Sequence, residues 1–381
     1  MEKVESLKNL VSRLNSGESF ESVKEDFVKN FSDVSAEEIA SAEQKLIEEG
    51  VEVEEVQKLC GVHAALFDGK IDNNTEIDVE ELEDGHPAKT LHEENLALEK
   101  FLNELEEKIS ADDVESFCKD FPKLLALYAH YGKKEFLFMP ILANHGVPGP
   151  SQVMWGVDDE IKKQVRNLVK KLSPENFVDL KEKISATLSE VRDMILREEK
   201  IFIPLTFRFF AEEDFVNVYR DSLEMQPAFV EKIPRWTFGD EKLSARKNIP
   251  NNELFAGKIK LPTGELTLNQ LKGIFQLLPV DITFIDENDK IRFFINGGKI
   301  FDRPLIALGN DIYACHPPQI IPMVKQMLTD FKNKKRASME VWRKIKGKPV
   351  SVEYFAVYGE EGNYLGAVEF VQEYSKALEK F

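Results

Sequence analysis

The chain has 381 residues, which is more than one ordinary hydrophobic core accommodates and predicts two or three domains. Fifty basic residues stand against 68 acidic ones, and the formal net charge of −18 argues against duplex nucleic acid or an anionic membrane surface as the main partner. The sequence opens without a signal-peptide pattern and has no run that approaches the roughly 20 apolar residues of a membrane span. It therefore predicts a cytoplasmic protein with no nucleic-acid and no membrane partner.

The cysteines and the short sequence motifs exclude several kinds of site. Cys60, Cys118 and Cys315 are far apart and show no Cys-x-x-Cys spacing, so neither a disulfide framework nor a thiolate zinc site is indicated. There is no Gly-x-Ser-x-Gly elbow, no phosphate-binding loop and no dinucleotide fingerprint. Hydrolase, kinase and dehydrogenase functions therefore have no support in the sequence.

The first 85 residues predict a small all-α domain followed by a linker. Ser35-Ala-Glu-Glu38 is a capping box ahead of an apolar helical period, and a second helix carries His63 within an apolar stretch. A half-buried, hydrogen-bonded histidine is the favoured interpretation there, with a metal ligand as the alternative. We assign residues 1–70 to this domain and residues 71–85 to an acidic linker.

Four amphipathic helical patterns follow in residues 86–210 and predict an antiparallel four-helix bundle. The patterns run from His86-Pro87 to Leu105, from Val114 to about Leu142, from Asp158 to Leu172, and from Pro174 to about Phe210. Pro87 suits a first helical turn, and acidic residues near Asp158 suit a helix N-terminus because they oppose the helix dipole.

One skeleton, Glu-x-x-Phe-x-Pro, occurs in both the second and the fourth pattern. The copies run from Glu135 to Pro140 and from Glu199 to Pro204, and each proline is predicted to end its helix. His130 lies about one turn below Glu135. Acidic side chains at equivalent points on two helices, with a histidine nearby, are suited to holding a metal ion inside a bundle.

The remaining residues predict a connector and a domain that contains a sheet. Residues 211–262 contain several prolines and little clear period, which is typical of a connector. In residues 263–381 the apolar period changes to two. A hairpin over 281–294 is followed by three strands near 339–345, 349–358 and 365–372, so we expect an α+β fold with a five-stranded antiparallel sheet.

These patterns resemble known families. Residues 86–205 resemble the hemerythrin-like HHE cation-binding domain, a four-helix bundle whose inward histidines and glutamates hold a non-haem, usually di-iron, centre. Residues 266–375 resemble a PAS domain through the opening strand at 278–286, the Cys315-His-Pro-Pro segment and the three closing strands.

A third resemblance joins these parts. Leu59-Cys-Gly-Val-His-Ala-Ala-Leu-Phe67, Gly85-His-Pro87 and the segment from Val153 to Ile161 are together similar to the bacterial and archaeal domain of unknown function 438. That family combines an N-terminal helical part, a hemerythrin-like part and a PAS part in the order predicted here. The resemblance implies a sensor or regulatory protein but no specific activity.

The hemerythrin-like resemblance also implies metal ligands. Its pattern places a histidine ten residues before the proline and a glutamate six before it. These positions hold His130 and Lys134 in the first copy and Met194 and Glu198 in the second, so each helix keeps half of the pair. Asp158 or Asp159 takes the place of the third-helix histidine, and His86, His92 and Asn95 compete for the first-helix position. The ligands we select are His86, His130, Glu135, Asp159, Glu198 and Glu199, with His92, His63 and His145 as further candidates.

A site of this composition is rich in oxygen donors. It suits iron, as one ion or two, or manganese better than a thiolate zinc site, with zinc as another divalent candidate. The alternative is a metal-free bundle in which Lys134 neutralises a buried glutamate.

The PAS segment offers a second candidate site. Cys315 and His316 are residue types that ligate haem, but Pro317 favours a helix-capping role for this segment. Aromatic residues, including Phe275, Phe293 and Trp342, are expected to line the domain interior as core, with a small-ligand pocket as the alternative.

The function that these features favour is a cytoplasmic metal-binding sensor or regulatory protein in which a bundle and a PAS module are coupled. A diatomic gas would be its ligand, another protein its output partner, and the PAS domain a means of homodimer formation. An iron-dependent redox enzyme acting on oxygen, peroxide or nitric oxide is one alternative. A metal-free interaction scaffold is the other.

Overall fold

The structure is a computed structural model that describes residues 78–247, 258–295, 300–301, 303–345 and 347–380, together with scattered residues before position 57. The chain divides into two compact units, Met1–Asp240 and Glu241–Phe381. His63, the Leu59–Phe67 segment and the Ser35 capping box lie outside the described residues, as does most of the N-terminal domain. None of the described helices combines the length and apolarity that crossing a membrane requires.

The first unit is helical, as the sequence predicted. Between residues 87 and 222 its helices are α1 (Pro87–Ser110), α2 (Val114–Asp120), α3 (Leu127–Lys133), α4 (Met139–Asn144), α5 (Pro148–Lys171), α6 (Phe177–Arg197), α7 (Ile203–Phe209) and α8 (Glu212–Ser222), with a 3-10 turn at Phe121–Ala126 and π-helical turns at Lys134–Phe138 and Glu198–Phe202. The apolar stripe of α1, with Leu91, Leu98 and Leu102 almost completely buried, faces the bundle interior.

Both prolines of the repeated skeleton lie inside a continuous helical run, so the prediction that they end their helices is wrong. Pro140 and Pro204 are in the first turn of α4 and α7, directly after the two π-helical turns. A proline has no N–H and its ring collides with the carbonyl four residues earlier, so a wider turn before it lets the helix continue. The π-turns therefore follow from the repeated prolines.

The third helix begins ten residues earlier than predicted. Helix α5 starts at Pro148, and Asp158 consequently lies in the middle of the helix, where it is completely buried. The Gly- and Pro-rich segment interpreted as a loop contributes the first turn of α5 instead, since proline is tolerated there. Asp158 therefore does not stabilise a helix N-terminus.

The predicted connector also contains helices. Helix α8 and helix α9 (Thr237–Lys247) both lie in residues 211–262, and residues up to 240 belong to the first compact unit. Phe215 and Trp236 are almost completely buried. Gly85 adopts φ +77°, and a Cβ there would come within 2.6 Å of the backbone of residues 234–236, which explains the need for glycine. This part of the predicted connector packs on the start of α1.

The second unit contains the predicted five-stranded sheet. Its elements are β1 (Lys258–Leu261), β2 (Gly264–Thr267), α10 (Leu268–Leu277), β3 (Asp281–Asp286), β4 (Ile291–Phe294), α11 (Ile321–Lys332), β5 (Ser338–Ile345), β6 (Lys348–Tyr358), β7 (Tyr364–Glu373) and α12 (Ser375–Leu378). Strands β1 and β2 form a separate hairpin that the sequence did not predict. The other five pair antiparallel in the order β4-β3-β7-β6-β5.

The core of the second unit lies between one face of this sheet and α11. Phe331 and Leu328 of α11 and Val352 and Val371 of the sheet are almost completely buried in it. Phe293 and Trp342, predicted to line the interior, are instead 38% and 58% exposed, and this prediction is wrong. Side chains alternate between the two faces of a strand, and the inward position of β4 is occupied by the neighbouring residue, Phe294.

Candidate functional site

His130 lies at the centre of the helical bundle between two carboxylates. Its Nδ1 is 2.9 Å from Oε2 of Glu94 on α1, and its Nε2 is 2.9 Å from Oε2 of Glu198 at the start of the second π-turn. All three side chains are completely buried. Both ring nitrogens donate to carboxylates in this arrangement, which requires the protonated imidazolium.

Lys134 provides a second buried cation beside His130. Its Nζ donates to Oε1 of Glu198 and, at 3.0 Å, to Oδ1 of Asp158 on α5. The same Nζ lies 4.5 Å from the centroid of the Tyr131 ring. The lysine side chain is completely buried, so its ammonium group is stabilised only by these protein groups.

Two further lysines complete the charged centre. Lys133 donates to Oε1 of Glu94 at 2.5 Å, and the same carboxylate oxygen accepts the backbone N–H of Ala228 at 2.9 Å. Lys162 donates to both oxygens of Glu135, at 2.7 and 2.9 Å, and forms an ion pair of 2.8 Å with Asp159. Each buried carboxylate of the centre thus has at least one cationic partner.

The electrostatic surroundings shift the pKa values in the directions expected from this geometry. Burial by itself lowers the pKa of His130, but Glu198 and Glu94 more than compensate and raise it to about 9. Burial raises the pKa of Glu198, and the charges of Lys134 and His130 reverse that effect and lower it to about 2. His130 therefore carries a proton and Glu198 does not at neutral pH.

Asp158 behaves differently from Glu198 although both accept a hydrogen bond from Lys134. Burial, together with Glu135 and Glu198, raises the pKa of Asp158 well above its ordinary value despite the opposing charge of Lys134. Its Oδ2 is buried and finds no hydrogen-bond partner in the part of the chain that the structure describes, whereas both oxygens of Glu198 are engaged. Glu198 is thus the main counter-charge of Lys134.

Glu199, His92 and Asn95 form a separate polar cluster on the adjoining side of the second π-turn. Nδ1 of His92 is 2.8 Å from Oε2 of Glu199, and Nδ2 of Asn95 donates to its Oε1 at 2.7 Å. Nε2 of His92 and Oδ1 of Asn95 are buried and have no hydrogen-bond partner among the described residues. Adjacent side chains on a helix point about 100° apart, and the two glutamates accordingly reach different clusters.

The remaining histidine candidates have structural partners. His86 caps helix α1 by accepting the backbone N–H of Ala88 at its Nδ1, and its ring packs against Phe215 and Trp236. Burial lowers the pKa of His86 to about 4, so it is neutral. Nε2 of His145 is 3.2 Å from Oδ2 of Asp214, and its ring stacks on Phe210.

The bundle centre thus brings together only some of the candidate ligands. His130 and Glu198 are in direct contact, Glu135 and Asp159 meet at Lys162, and His92 meets Glu199. Sequence reasoning missed Glu94 and Lys133. Glu94 could have been found from its spacing, because it lies three residues after Leu91 and four before Leu98 on the buried stripe of α1.

The candidates in the second unit lie apart from one another. Burial raises the pKa of the Cys315 thiol to about 12, and Cys315 packs against the apolar core. Nδ1 of His316 donates a hydrogen bond to the carbonyl oxygen of Ile312, 2.8 Å away. Helix α11 begins at Ile321 with Pro322 in its first turn, so the role predicted for Pro317 belongs to Pro322. Trp342 lies on the opposite face of the sheet, against Tyr374.

Three family models match the chain in succession. Residues 7–73 match a family of unknown function, DUF438, residues 86–206 match the hemerythrin HHE cation binding domain, and residues 271–375 match a PAS domain. The matches confirm the domain order predicted from the sequence. A cation-binding hemerythrin domain next to a PAS domain supports a metal-binding, sensor-type protein as the class.

Solved structures and curated proteins add little to this assignment. A crystal structure of a C-terminal domain from Streptococcus mutans is 27% identical, with 33% of this chain and 98% of that chain covered and a TM-score of 0.32. A sensory box sensor histidine kinase from Vibrio cholerae is 13% identical, with 27% and 87% covered and a TM-score of 0.22. TM-scores this low support no conclusion about fold or function. No curated protein is significantly similar to this chain.

The donor set at the bundle centre does not fit the cation that the hemerythrin class implies. Both nitrogens of His130 are engaged by carboxylates, and the ammonium of Lys134 lies between Glu198 and Asp158. Among the residues that the structure describes, no three His, Cys, Asp or Glu side chains are grouped to hold a metal ion. Each buried carboxyl group of the centre already contacts a basic side chain of the protein, so the centre can bury these charges without a metal ion.

Proposed function

We propose that this protein is a sensor-type regulatory protein that acts through protein–protein contacts of its PAS module. The supporting observation is the apolar face of the five-stranded sheet opposite to α11, which we call the outer face. It is formed by Ile282, Phe284, Phe293, Phe355, Val368 and Phe370. These residues share a face because they are cross-strand partners, as in Phe293, Phe284 and Val368.

Several aromatic rings of the outer face are open to solvent. Trp342 on the edge strand β5 is 58% exposed beside Tyr374, and Phe355 is 37% exposed beside Phe370. Exposed tryptophan and other aromatic residues are enriched where proteins associate. The outer face is therefore suited to bind another protein.

The partner we assign to the outer face is a second copy of this chain. Glu340 and Lys344 lie on the same side of β5 as Trp342, two residues before it and two after it. A twofold axis near Trp342 would place Glu340 of one copy opposite Lys344 of the other, so these two charges would pair between the copies. Regulation then consists of a change in this association that a further protein detects.

The test is sedimentation equilibrium of the intact protein. We expect the wild type to dimerise and Trp342→Ser and Phe355→Glu to be monomeric, with unchanged circular dichroism. Val178→Ser is the matched control, because Val178 is 80% exposed on α6 of the other unit and its change should leave the dimer intact. A monomeric wild type, or a dimer that survives both outer-face changes, would reject the proposal. No cation is part of this proposal.

A further inference from the structure

The two copies of the repeated skeleton place charged residues of opposite sign at one equivalent position. Lys134 and Glu198 both begin a π-turn, both lie six residues before a proline, and both are completely buried. The ammonium of Lys134 donates directly to the carboxylate of Glu198. The pair therefore connects the two copies across the bundle interior.

A glutamate is the residue that the hemerythrin-like pattern has at both of these positions. Two carboxylates that face each other in a buried site repel unless a cation lies between them. With lysine in one copy, the repulsion is replaced by attraction, and the positive charge is supplied by the chain. The ammonium group also reaches Asp158, 3.0 Å away, and so contacts carboxylates from two different helical segments.

The ring nitrogens of His130, like the ammonium group of Lys134, contact buried carboxyl groups. A histidine that ligates a metal needs a lone pair on one ring nitrogen, and its other nitrogen donates to a second group. In this bundle Glu94 and Glu198 each take one of the two ring nitrogens at 2.9 Å. Neither ring nitrogen is therefore free for a metal ion in this arrangement.

Each buried carboxyl group of the centre contacts a basic side chain of the chain. Glu94, Glu135, Asp158 and Glu198 are the buried carboxyl groups, His130, Lys133, Lys134 and Lys162 are the basic side chains, and Lys162 also contacts the partly exposed Asp159. A divalent ion that bound Glu198 and Asp158 would have to displace the ammonium group of Lys134, which is completely buried and has no contact with solvent.

We infer that the ammonium group of Lys134 takes the position of the metal cation in this bundle, so that the native chain keeps its bundle folded without a bound metal ion. This inference is independent of the proposed association through the PAS module. Among the departures from the hemerythrin-like pattern, Lys134 is the one that supplies a competing positive charge. Replacing that one side chain by the glutamate of the hemerythrin-like pattern should create a metal site.

The experiment uses Mn²⁺ as the probe and the intact chain. Wild-type protein and Lys134→Glu, purified without oxygen and freed of metal, are titrated with Mn²⁺ by calorimetry. We expect Lys134→Glu to bind Mn²⁺ at least about tenfold more tightly than the wild type, because a buried positive charge becomes negative. Lys163→Glu is the matched control, since it makes the same change of charge at a lysine that is 60% exposed on α5. Lys134→Met removes the competing ammonium without adding a ligand and should bind Mn²⁺ less tightly than Lys134→Glu, which separates loss of the internal cation from gain of a carboxylate.

A second readout covers the case in which metal-free Lys134→Glu does not fold. Helicity is then followed by circular dichroism as Mn²⁺ is added, and its recovery in Lys134→Glu alone supports the inference. Mn²⁺ that neither binds more tightly nor restores helicity in Lys134→Glu, relative to Lys163→Glu, overturns it. Wild-type protein that retains stoichiometric iron or manganese, lost in His130→Ala, overturns it as well.

Discussion

The centre of the helical bundle and the core of the PAS module bury side chains of opposite character. The bundle centre holds complete charges, such as Lys134, His130 and Glu198, none of which is exposed. The core between α11 and the sheet is built from side chains such as Leu328, Phe331 and Val352, with tyrosine hydroxyls at its margin. The stability of the bundle centre depends on the pairing of charged groups, and that of the PAS core depends on shape and on the apolar area that is buried.

This difference predicts how each region responds to change. A buried charge loses its stabilisation when its partner is removed, because water does not solvate the charge that remains. An apolar core loses stability in proportion to the volume removed and can partly relax. Substitutions in the two regions should therefore lower the free energy of unfolding by different amounts, and the stability of the two regions should depend differently on pH.

The largest expected effect is at Lys134. Lys134→Ala leaves Glu198 and Asp158 without their shared cation and should lower the free energy of unfolding of the first unit by about 3 to 5 kcal/mol. Urea denaturation followed by the fluorescence of Trp155 and Trp236, both buried in this unit, measures it in a Trp342→Phe background. Lys163→Ala serves as the exposed control. A loss below about 1 kcal/mol would mean that water reaches the centre and screens it.

A somewhat smaller effect is expected from cavity formation in the PAS core. Leu328→Ala removes a side chain that is 1% exposed and should cost about 3 kcal/mol. The change should affect the transition of the second unit, monitored by Trp342 fluorescence, and leave the Trp155 and Trp236 signal unchanged, because the two units have separate cores. A parallel shift of both signals would show that the units unfold together.

The pH dependence of the two regions should differ as well. The pKa of His130 is raised from 6.5 to about 9, so its contribution is complete below about pH 6.5 and is lost as the pH rises through 9. The first unit should lose at most about 3 kcal/mol across this window. Denaturation at pH 6.5 and pH 9.5 checks it, with His130→Gln as the variant that should remove the dependence.

The second unit provides the contrast in the same experiment. Burial raises the pKa of the Cys315 thiol from 9.0 to about 12, so this thiol begins to destabilise the fold only above about pH 9. The stability of the second unit should therefore stay level between pH 6.5 and 8.5, while that of the first unit declines. Equal slopes for both units would argue against a charged His130.

The smallest effect is expected for an ion pair at the bundle surface. Arg192 contacts Glu99 and Glu106, but it is 33% exposed and solvent screens the pair. Arg192→Ala should cost less than about 1 kcal/mol, and the loss should shrink further in high salt. Denaturation with and without added salt measures it. A cost close to that of Lys134→Ala would mean that burial is not what separates the two ion pairs.

Much of the fold could be predicted from the sequence because the relevant signals are local. The five sheet strands were found through their period of two and their turns, and α1 through the proline at its start. The errors are also local in origin. Pro148 was interpreted as part of a loop, although proline is equally compatible with the first turn of α5, and Pro140 and Pro204 were interpreted as stops because a π-turn has no sequence signature.

The candidate site was predictable only in part. The repeated skeleton correctly directed attention to the two segments that meet at the bundle centre, and the departure of Lys134 from the hemerythrin-like pattern is visible in the sequence. Spacing, however, indicates only which side of a helix a residue occupies. It gave no means to tell that Glu198 would meet His130 while its neighbour Glu199 would meet His92, because the helix that each side chain faces is set by the packing of the whole unit.

The sequence by itself determined the order of the three family segments, the helical character of residues 86–210 and the strands of the PAS module, because periodicity and turn residues act over short distances. Only the tertiary structure decided that Glu94, from a helix 36 residues away, completes the surroundings of His130, and that Trp342 faces outward. Pairing of buried charges depends on which helices become neighbours. That choice is made by the packing of the whole unit, so the partners of Lys134 could be identified only in the folded chain.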